Sequence, residues 1–155
     1  MVQTDGKVLV GGTSVLSNGV AVTPSVLRLL SDGTRDASFV PSGVTAGRFQ
    51  FFQNMALQPD GQELVAGYYS PGSPLPFSRT LLRLNSTGNS DNFFNGAGFN
   101  TPVVNTGLNA LVVQPDGKIL VGGQFSNYGT TARSNVVRLN PNGTLDTGIV
   151  SPVSE

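Results

Sequence analysis

One stretch of this chain is written three times, and that repetition limits the fold more than any other feature. Val2-Gln3-Thr4-Asp5-Gly6-Lys7-Val8-Leu9-Val10-Gly11-Gly12 returns as Leu57-Gln58-Pro59-Asp60-Gly61-Gln62-Glu63-Leu64-Val65-Ala66-Gly67. It returns again as Val113-Gln114-Pro115-Asp116-Gly117-Lys118-Ile119-Leu120-Val121-Gly122-Gly123. The Asp-Gly pairs stand 55 and then 56 residues apart. A second block steps by 55 residues each time: Val26-Leu27-Arg28-Leu29, Leu81-Leu82-Arg83-Leu84 and Val136-Val137-Arg138-Leu139. A third sets Asp36, Asp91 and Asp146 eight residues after each of those arginines. A period of this size marks an array of supersecondary units, each burying its apolar face against a neighbour.

Each unit resolves into short extended runs. In the third, Asn109 to Gln114 is apolar and β-branched, Pro115-Asp116-Gly117 forms a tight turn, and Lys118 to Gln124 resumes the strand. An Asp-Gly pair between two such runs signals a hairpin, because glycine accepts positive φ without steric cost. After a polar loop come the strand Asn135 to Asn140, the turn Pro141-Asn142-Gly143 and a weaker strand from Asp146 to Val150. The spacing thus predicts four antiparallel strands per repeat and no helix.

Ile119-Leu120-Val121 and Leu64-Val65-Ala66 are continuous apolar runs rather than alternating ones, so their sheets need cover on both faces. Four-stranded sheets stacked face to face supply it, and the expected fold is all-β, a set of β-propeller blades. A flat β-solenoid is the alternative, but its usual rung is shorter. The repeats divide the chain at residues 1–53, 54–108 and 109–155, the first with a truncated opening strand and the last with an incomplete end. About three blades fall short of the roughly 4 to 8 that close a propeller. The expectation is therefore a larger array, or a ring completed by further copies of the chain.

The pattern Val-Gln-Pro-Asp-Gly-Lys-Ile-Leu-Val-Gly-Gly followed by Val-Arg-Leu-Asn-x-x-Gly-x-x-Asp resembles the delta-60 repeat, a bacterial propeller-type domain of unassigned function. Residues 113–146 match it best; the second repeat departs at Gln62-Glu63 and Ala66, and the first at Thr4 and Leu30. The resemblance implies a propeller within a large secreted or envelope-associated protein. It implies no reaction and carries over no functional residues.

Composition removes several function classes. The 155 residues contain no His and no Cys, which excludes a Ser-His-Asp triad, a cysteine nucleophile and a zinc site of the usual kind. Nine basic and nine acidic residues cancel, leaving no electrostatic footprint for nucleic acid or an anionic membrane. No apolar run approaches the roughly 20 residues of a membrane span. Met1 to Gly6 lacks the basic and apolar regions of a signal peptide, so an extracellular or cell-envelope location is expected from the resemblance alone.

The charges that remain have repeat-wide explanations. Asp5, Asp60 and Asp116 recur in the first turn, and Asp36, Asp91 and Asp146 recur after the second; Asp32 also lies in a turn. Turn aspartates cap backbone N–H groups, whereas calcium wants about six to eight oxygens and each copy offers one carboxylate, so no metal and no cofactor is expected. Arg28, Arg83 and Arg138 suit a recurrent pair with Asp36, Asp91 and Asp146; the alternative is a ring of arginines binding an anion in a central channel. Paired-carboxylate catalysis needs two acids with divergent environments, and only Glu63 and Glu155 fall outside the repeat pattern. The expectation is a protein that is not an enzyme.

A binding site, if present, belongs on the longer loops, where the copies differ most. Tyr68, Tyr69, Phe77, Arg79, Phe125, Asn127, Tyr128 and Arg133 gather there, and aromatics beside amides and arginines suit a glycan or a protein surface. The same aromatics serve equally well to fold the loops down onto the blades. Three readings follow: a non-catalytic binding or scaffold propeller, a carbohydrate-binding propeller, and a fragment of a propeller enzyme whose chemistry lies in other blades.

Overall fold

The computed structural model describes residues 1–12, 15–17, 20–22, 26–41, 49–69, 78–91, 99–100 and 107–149; of these, 15–17, 20–22, 49–51, 68–69, 78–80, 91 and 100 are described as backbone only. Among the described residues all regular structure is β. The first repeat holds β1 (Val8–Gly11), β2 (Val15–Ser17), β3 (Val20–Val22) and β4 (Val26–Leu29). The second blade opens ahead of the boundary expected after residue 53, as the third opens ahead of that after 108; it holds β5 (Phe49–Leu57), β6 (Glu63–Tyr69), β7 (Ser78–Leu84), β8 (Ser90–Asp91) and β9 (Phe99–Asn100). The third holds β10 (Leu108–Val113), β11 (Ile119–Gly123), β12 (Asn127–Tyr128), β13 (Thr131–Ala132) and β14 (Val136–Leu139).

The hairpin turns explain why the motif is kept. Gly6, Gly61 and Gly117 in the first turn, and Gly33, Gly88 and Gly143 in the second, all have φ between 79° and 88°. Each turn closes the same way: Gly117 N–H donates to the Gln114 carbonyl at 2.9 Å, and Gln114 N–H to the Lys118 carbonyl at 2.8 Å. That is a three-residue loop with one left-handed glycine, a turn that suits the strands' right-handed twist. The side chain two places before the strand resumes completes it. Asp5, Asp60 and Asp116 each accept the N–H of Lys7, Gln62 and Lys118 at 3.0–3.1 Å. Asp32 and Asn142 do the same for Thr34 and Thr144.

From these turns three four-run antiparallel blades follow. In the second, β5, β6, β7 and β8 pair in order. In the first, β1 pairs β4, and single bridges at Val2–Val8 and Leu29–Arg35 supply the outer runs. In the third, β10, β11 and β14 pair, and a bridge at Leu139–Leu145 supplies the fourth. Of the strand expected from Asp146 to Val150, residues 146–149 turn at once, with Asp146 Oδ1 accepting the Gly148 N–H at 2.9 Å, and Val150 lies outside the described residues.

The longer connections inside the first and third repeats contain hairpins. β2 pairs β3 inside 13–25, and β12 pairs β13 inside 124–134. The second of these does more. β12 also pairs β9, which pairs β7, so a hairpin of the third repeat extends the sheet of the second. Residue type alone does not foretell such pairing between repeats, since edge strands accept any available backbone.

The apolar runs are sealed on both faces, as their continuity requires. Directly opposed residues share a face, and β6–β7 register sets Val65 against Leu82 and Glu63 against Leu84 on one side. Leu64 against Arg83 and Ala66 against Leu81 occupy the other. Val65 and Leu84 form a core with Leu9, Val26 and Phe39 of the first blade. Leu64, Ala66 and Leu81 form another with Ile119, Val121, Val137 and Leu139 of the third. Each such aliphatic side chain contributes about 1.5–3 kcal/mol on burial. The closing glycines permit close approach, Gly11 between blades and Gly123 within one: a Cβ on Gly11 would lie 3.2 Å from Met55 Sδ, and one on Gly123 would collide with the Gly107 carbonyl.

Candidate functional site

Two places hold polar chemistry worth weighing: the seams between blades and the loop end of the second and third blades. The seam between blades one and two contains a buried charge cluster. Arg28 gives Nε and Nη2 to Asp36 Oδ2, both at 2.9 Å, so one carboxylate oxygen takes both donors. The other oxygen accepts the Ser38 N–H at 3.0 Å and hydroxyl at 2.5 Å. The Ser38 hydroxyl and then the Arg28 guanidinium hold Asp36 below the usual carboxylate range against the opposing effect of burial. Phe39 lies under the guanidinium, 4.5 Å from Cζ to ring centroid, the geometry of a cation–π contact.

Glu63 of the second blade enters this cluster fully buried. Its Oε1 accepts Gln3 Nε2 at 2.6 Å and lies 3.7 Å from Arg28 Nη1, while Oε2 is buried without a hydrogen-bond partner. Burial dominates over the neighbouring cation and raises Glu63 from 4.5 to about 7. The sequence marks Glu63 only as an acid outside the repeat pattern. It hides the partnership, because blade-to-blade contacts across a seam leave no spacing signature.

The second seam uses the same positions with a different acceptor. Gln58 Nε2 and Arg83 Nη1 both donate to the Pro141 carbonyl, at 3.1 and 3.3 Å. Gln3, Gln58 and Gln114 recur in the motif at one position. That recurrence was the available signal for their role. The expected Arg–Asp pairs form at Arg28–Asp36 and at Arg138–Asp146, the latter at 2.7 Å. Asp146 also takes Lys118 at 3.0 Å, and the Gly148 N–H, then Lys118, lower it to about 2. Arg83 and Asp91 are directly opposed in register.

At the loop end, backbone register brings several expected site residues into line. Tyr68 opposes Arg79, Arg79 opposes Phe99, and Phe99 opposes Tyr128. Tyr69 and Asn127 fall in rows beside this one. The side chains of Tyr68, Tyr69 and Arg79 are not among those described, and Phe77 lies outside the described residues.

Phe125 and Tyr128, two of the aromatics expected on the loops, are both buried. The Phe99 ring meets Phe125 edge-on at 4.9 Å and Tyr128 at 5.2 Å. Tyr128 donates its hydroxyl to the Gly143 carbonyl at 2.7 Å, and burial raises it to about 12. These two rings fold the 124–134 loop onto the blades, for burial of so much apolar area outweighs exposure to an occasional ligand. Arg133 turns back on its own hairpin, giving Nη1 to the Ala132 carbonyl at 2.9 Å. Asn127 is half-buried in β12.

Among the described residues no three acidic side chains gather as metal ligands, and no helix is long and apolar enough to cross a membrane.

Antiparallel four-run blades with an apolar core in each seam define the class of this molecule: it is an all-β array of propeller blades. A family model described as a domain of unknown function (DUF5122) beta-propeller matches residues 3–39 and 114–148, which lie in the first and third repeats. No curated protein and no solved structure matches the chain.

Proposed function

We propose that the chain is a non-catalytic binding or scaffold module, built of delta-60-type repeats, within a larger secreted or cell-surface bacterial protein. One observation carries this reading: the carboxylates whose side chains the structure describes are employed in closing turns and holding the blades. Asp5, Asp32, Asp60 and Asp116 close turns, Asp36 and Asp146 hold arginines, and Glu63 is shut inside a seam. Asp36 and Glu63 lack the open approach that acid–base chemistry needs, and each exposed turn aspartate already accepts a backbone N–H of its own turn. The variable loops remain as the surface for protein contact.

A second reading, a carbohydrate-binding module, draws on the row that holds Tyr68 and Arg79 beside Asn127. A glycan array separates the two. The scaffold reading expects no glycan to be retained, whereas retention that disappears in Tyr68→Ala would overturn it in favour of the second.

A further inference from the structure

Glu63 stands at a position that the other two repeats fill with Val8 and Ile119. It lies opposite Leu84 on the face of β6 that meets the first blade, and it is fully buried there. The apolar members of that face, Val65 and Leu84, pack with Leu9, Val26 and Phe39. A charge in such a place must be matched by its neighbours, because the surroundings do not solvate it.

The charges around Glu63 are already matched to one another. From β4, Arg28 gives Nε and Nη2 to Asp36 Oδ2 at 2.9 Å, which leaves Nη1 for Glu63 at 3.7 Å, beyond hydrogen-bond distance. Asp36 also takes the Ser38 N–H and hydroxyl, and these contacts with Arg28 hold it ionised. From the first turn, Asp5 adds a like charge and is itself paired with Lys7 at 2.7 Å. The Met1 ammonium donates to the Leu9 carbonyl at 2.8 Å. On its own blade Glu63 faces Leu84, while Arg83 leaves from the opposite face. With Glu63 ionised, the buried group Arg28, Asp36 and Glu63 has two carboxylates for one guanidinium. Glu63 Oε2 is then a charged oxygen without a hydrogen-bond partner. With a proton on Glu63 the group is neutral.

We propose that Glu63 is a proton-operated clasp between blades one and two: protonated, it lets the first seam close, and its ionisation releases blade one from the face of β6 while each blade keeps its own fold. The proposal rests on the blade architecture and is independent of what the module binds. Its direction follows from the raised value of Glu63. The closed seam is favoured fully below about pH 4.5, and opening grows as pH climbs to about 7, after which it levels off. Release wets Leu9, Val26, Phe39, Val65 and Leu84, so the device couples pH to the exposure of an apolar surface.

The chain has no cysteine, so single introduced thiols can report each seam. Val65 and Val121 are repeat equivalents and both are fully buried, the first in the seam between blades one and two and the second in that between two and three. Chains carrying Val65→Cys or Val121→Cys are labelled with a dipyridyl disulfide under native conditions from about pH 5 to about pH 8. The ratio of the two rates cancels the pH dependence of thiol reactivity itself. That ratio should rise on the order of tenfold to a hundredfold, most of it below about pH 7. Adding Glu63→Gln should leave it flat. Should that variant lose its β signal in circular dichroism, Glu63→Ile, which copies Ile119, carries the same test.

A flat ratio in the chain that keeps Glu63, or a rise that persists in a folded Glu63 variant, overturns the proposal. A parallel increase at both thiols overturns it too, since that reports unfolding of the whole chain rather than release of one blade. The module reading is tested separately, and falls on turnover of a substrate.

Discussion

The two seams solve one packing problem with different chemistry. Between blades two and three, Leu64, Ala66 and Leu81 meet Ile119, Val121 and Leu139, rimmed by the Phe99, Phe125 and Tyr128 rings, and the polar link ends on a neutral carbonyl. Between blades one and two, Leu9, Val26 and Phe39 meet Val65 and Leu84, and the polar link ends on Glu63, a buried carboxylate beside Arg28 and Asp36. Where Ile119 fills the equivalent site with aliphatic surface, Glu63 brings a charge whose desolvation must be offset by its partners. The comparison teaches that the repeat specifies donors on one face and leaves the acceptor to the individual blade. The polar link of the first seam therefore ends on a titrating group, and that of the second on a neutral carbonyl.

The largest effect expected is from Arg28→Ala, which strands Asp36 and Glu63 in the first seam. A loss of about 3–5 kcal/mol is expected, as for breaking a buried ion pair, measured by urea denaturation. Arg83→Ala in the second seam removes a donor from a carbonyl that keeps Gln58, so about 1–3 kcal/mol is expected. If the two losses are equal, the seams do not differ as described.

The next prediction concerns pH. Glu63 is raised from 4.5 to about 7, so its folded state prefers the proton, and its contribution is complete below pH 4.5 and lost as pH climbs through 7. Asp36 and Asp146 are lowered, so theirs is present above about pH 4 and lost as pH falls through their folded values. Stability should therefore peak on the acid side of neutrality and decline toward pH 8. Glu63→Gln should remove that alkaline decline and leave the acid limb unchanged, as read from melting temperature against pH. A decline that persists in the variant would place its origin elsewhere.

The smallest effect sharpens the second seam. Tyr128→Phe keeps the ring packing and leaves the Gly143 carbonyl without its donor, so about 1 kcal/mol should be lost. A change too small to measure would mean that the ring alone holds the loop.

The blades were legible in the sequence because the turn chemistry is local. Asp116-Gly117 and Asn142-Gly143 need only their own backbone, and the continuous run Ile119-Leu120-Val121 announces two covered faces. The Arg28–Asp36 and Arg138–Asp146 pairs were legible through a constant eight-residue spacing within one hairpin. What escaped lies between repeats. Glu63 meets Gln3 across 60 residues, and β12 joins the sheet of the preceding blade through β9. Neither contact follows from a period, because both depend on how one finished blade seats on the next. The loop aromatics were ambiguous for a related reason: Phe125 and Tyr128 carry the same residue types whether they face a ligand or Phe99.

The central claim is that each blade is sealed by its neighbours, and hydrogen–deuterium exchange of dilute protein measures that sealing strand by strand. The account predicts slowest exchange in β6, at the centre of the blade covered on both faces, and faster exchange in β1 and β11, each covered on one. Equal protection in all three strands, or faster exchange in β6, would contradict it.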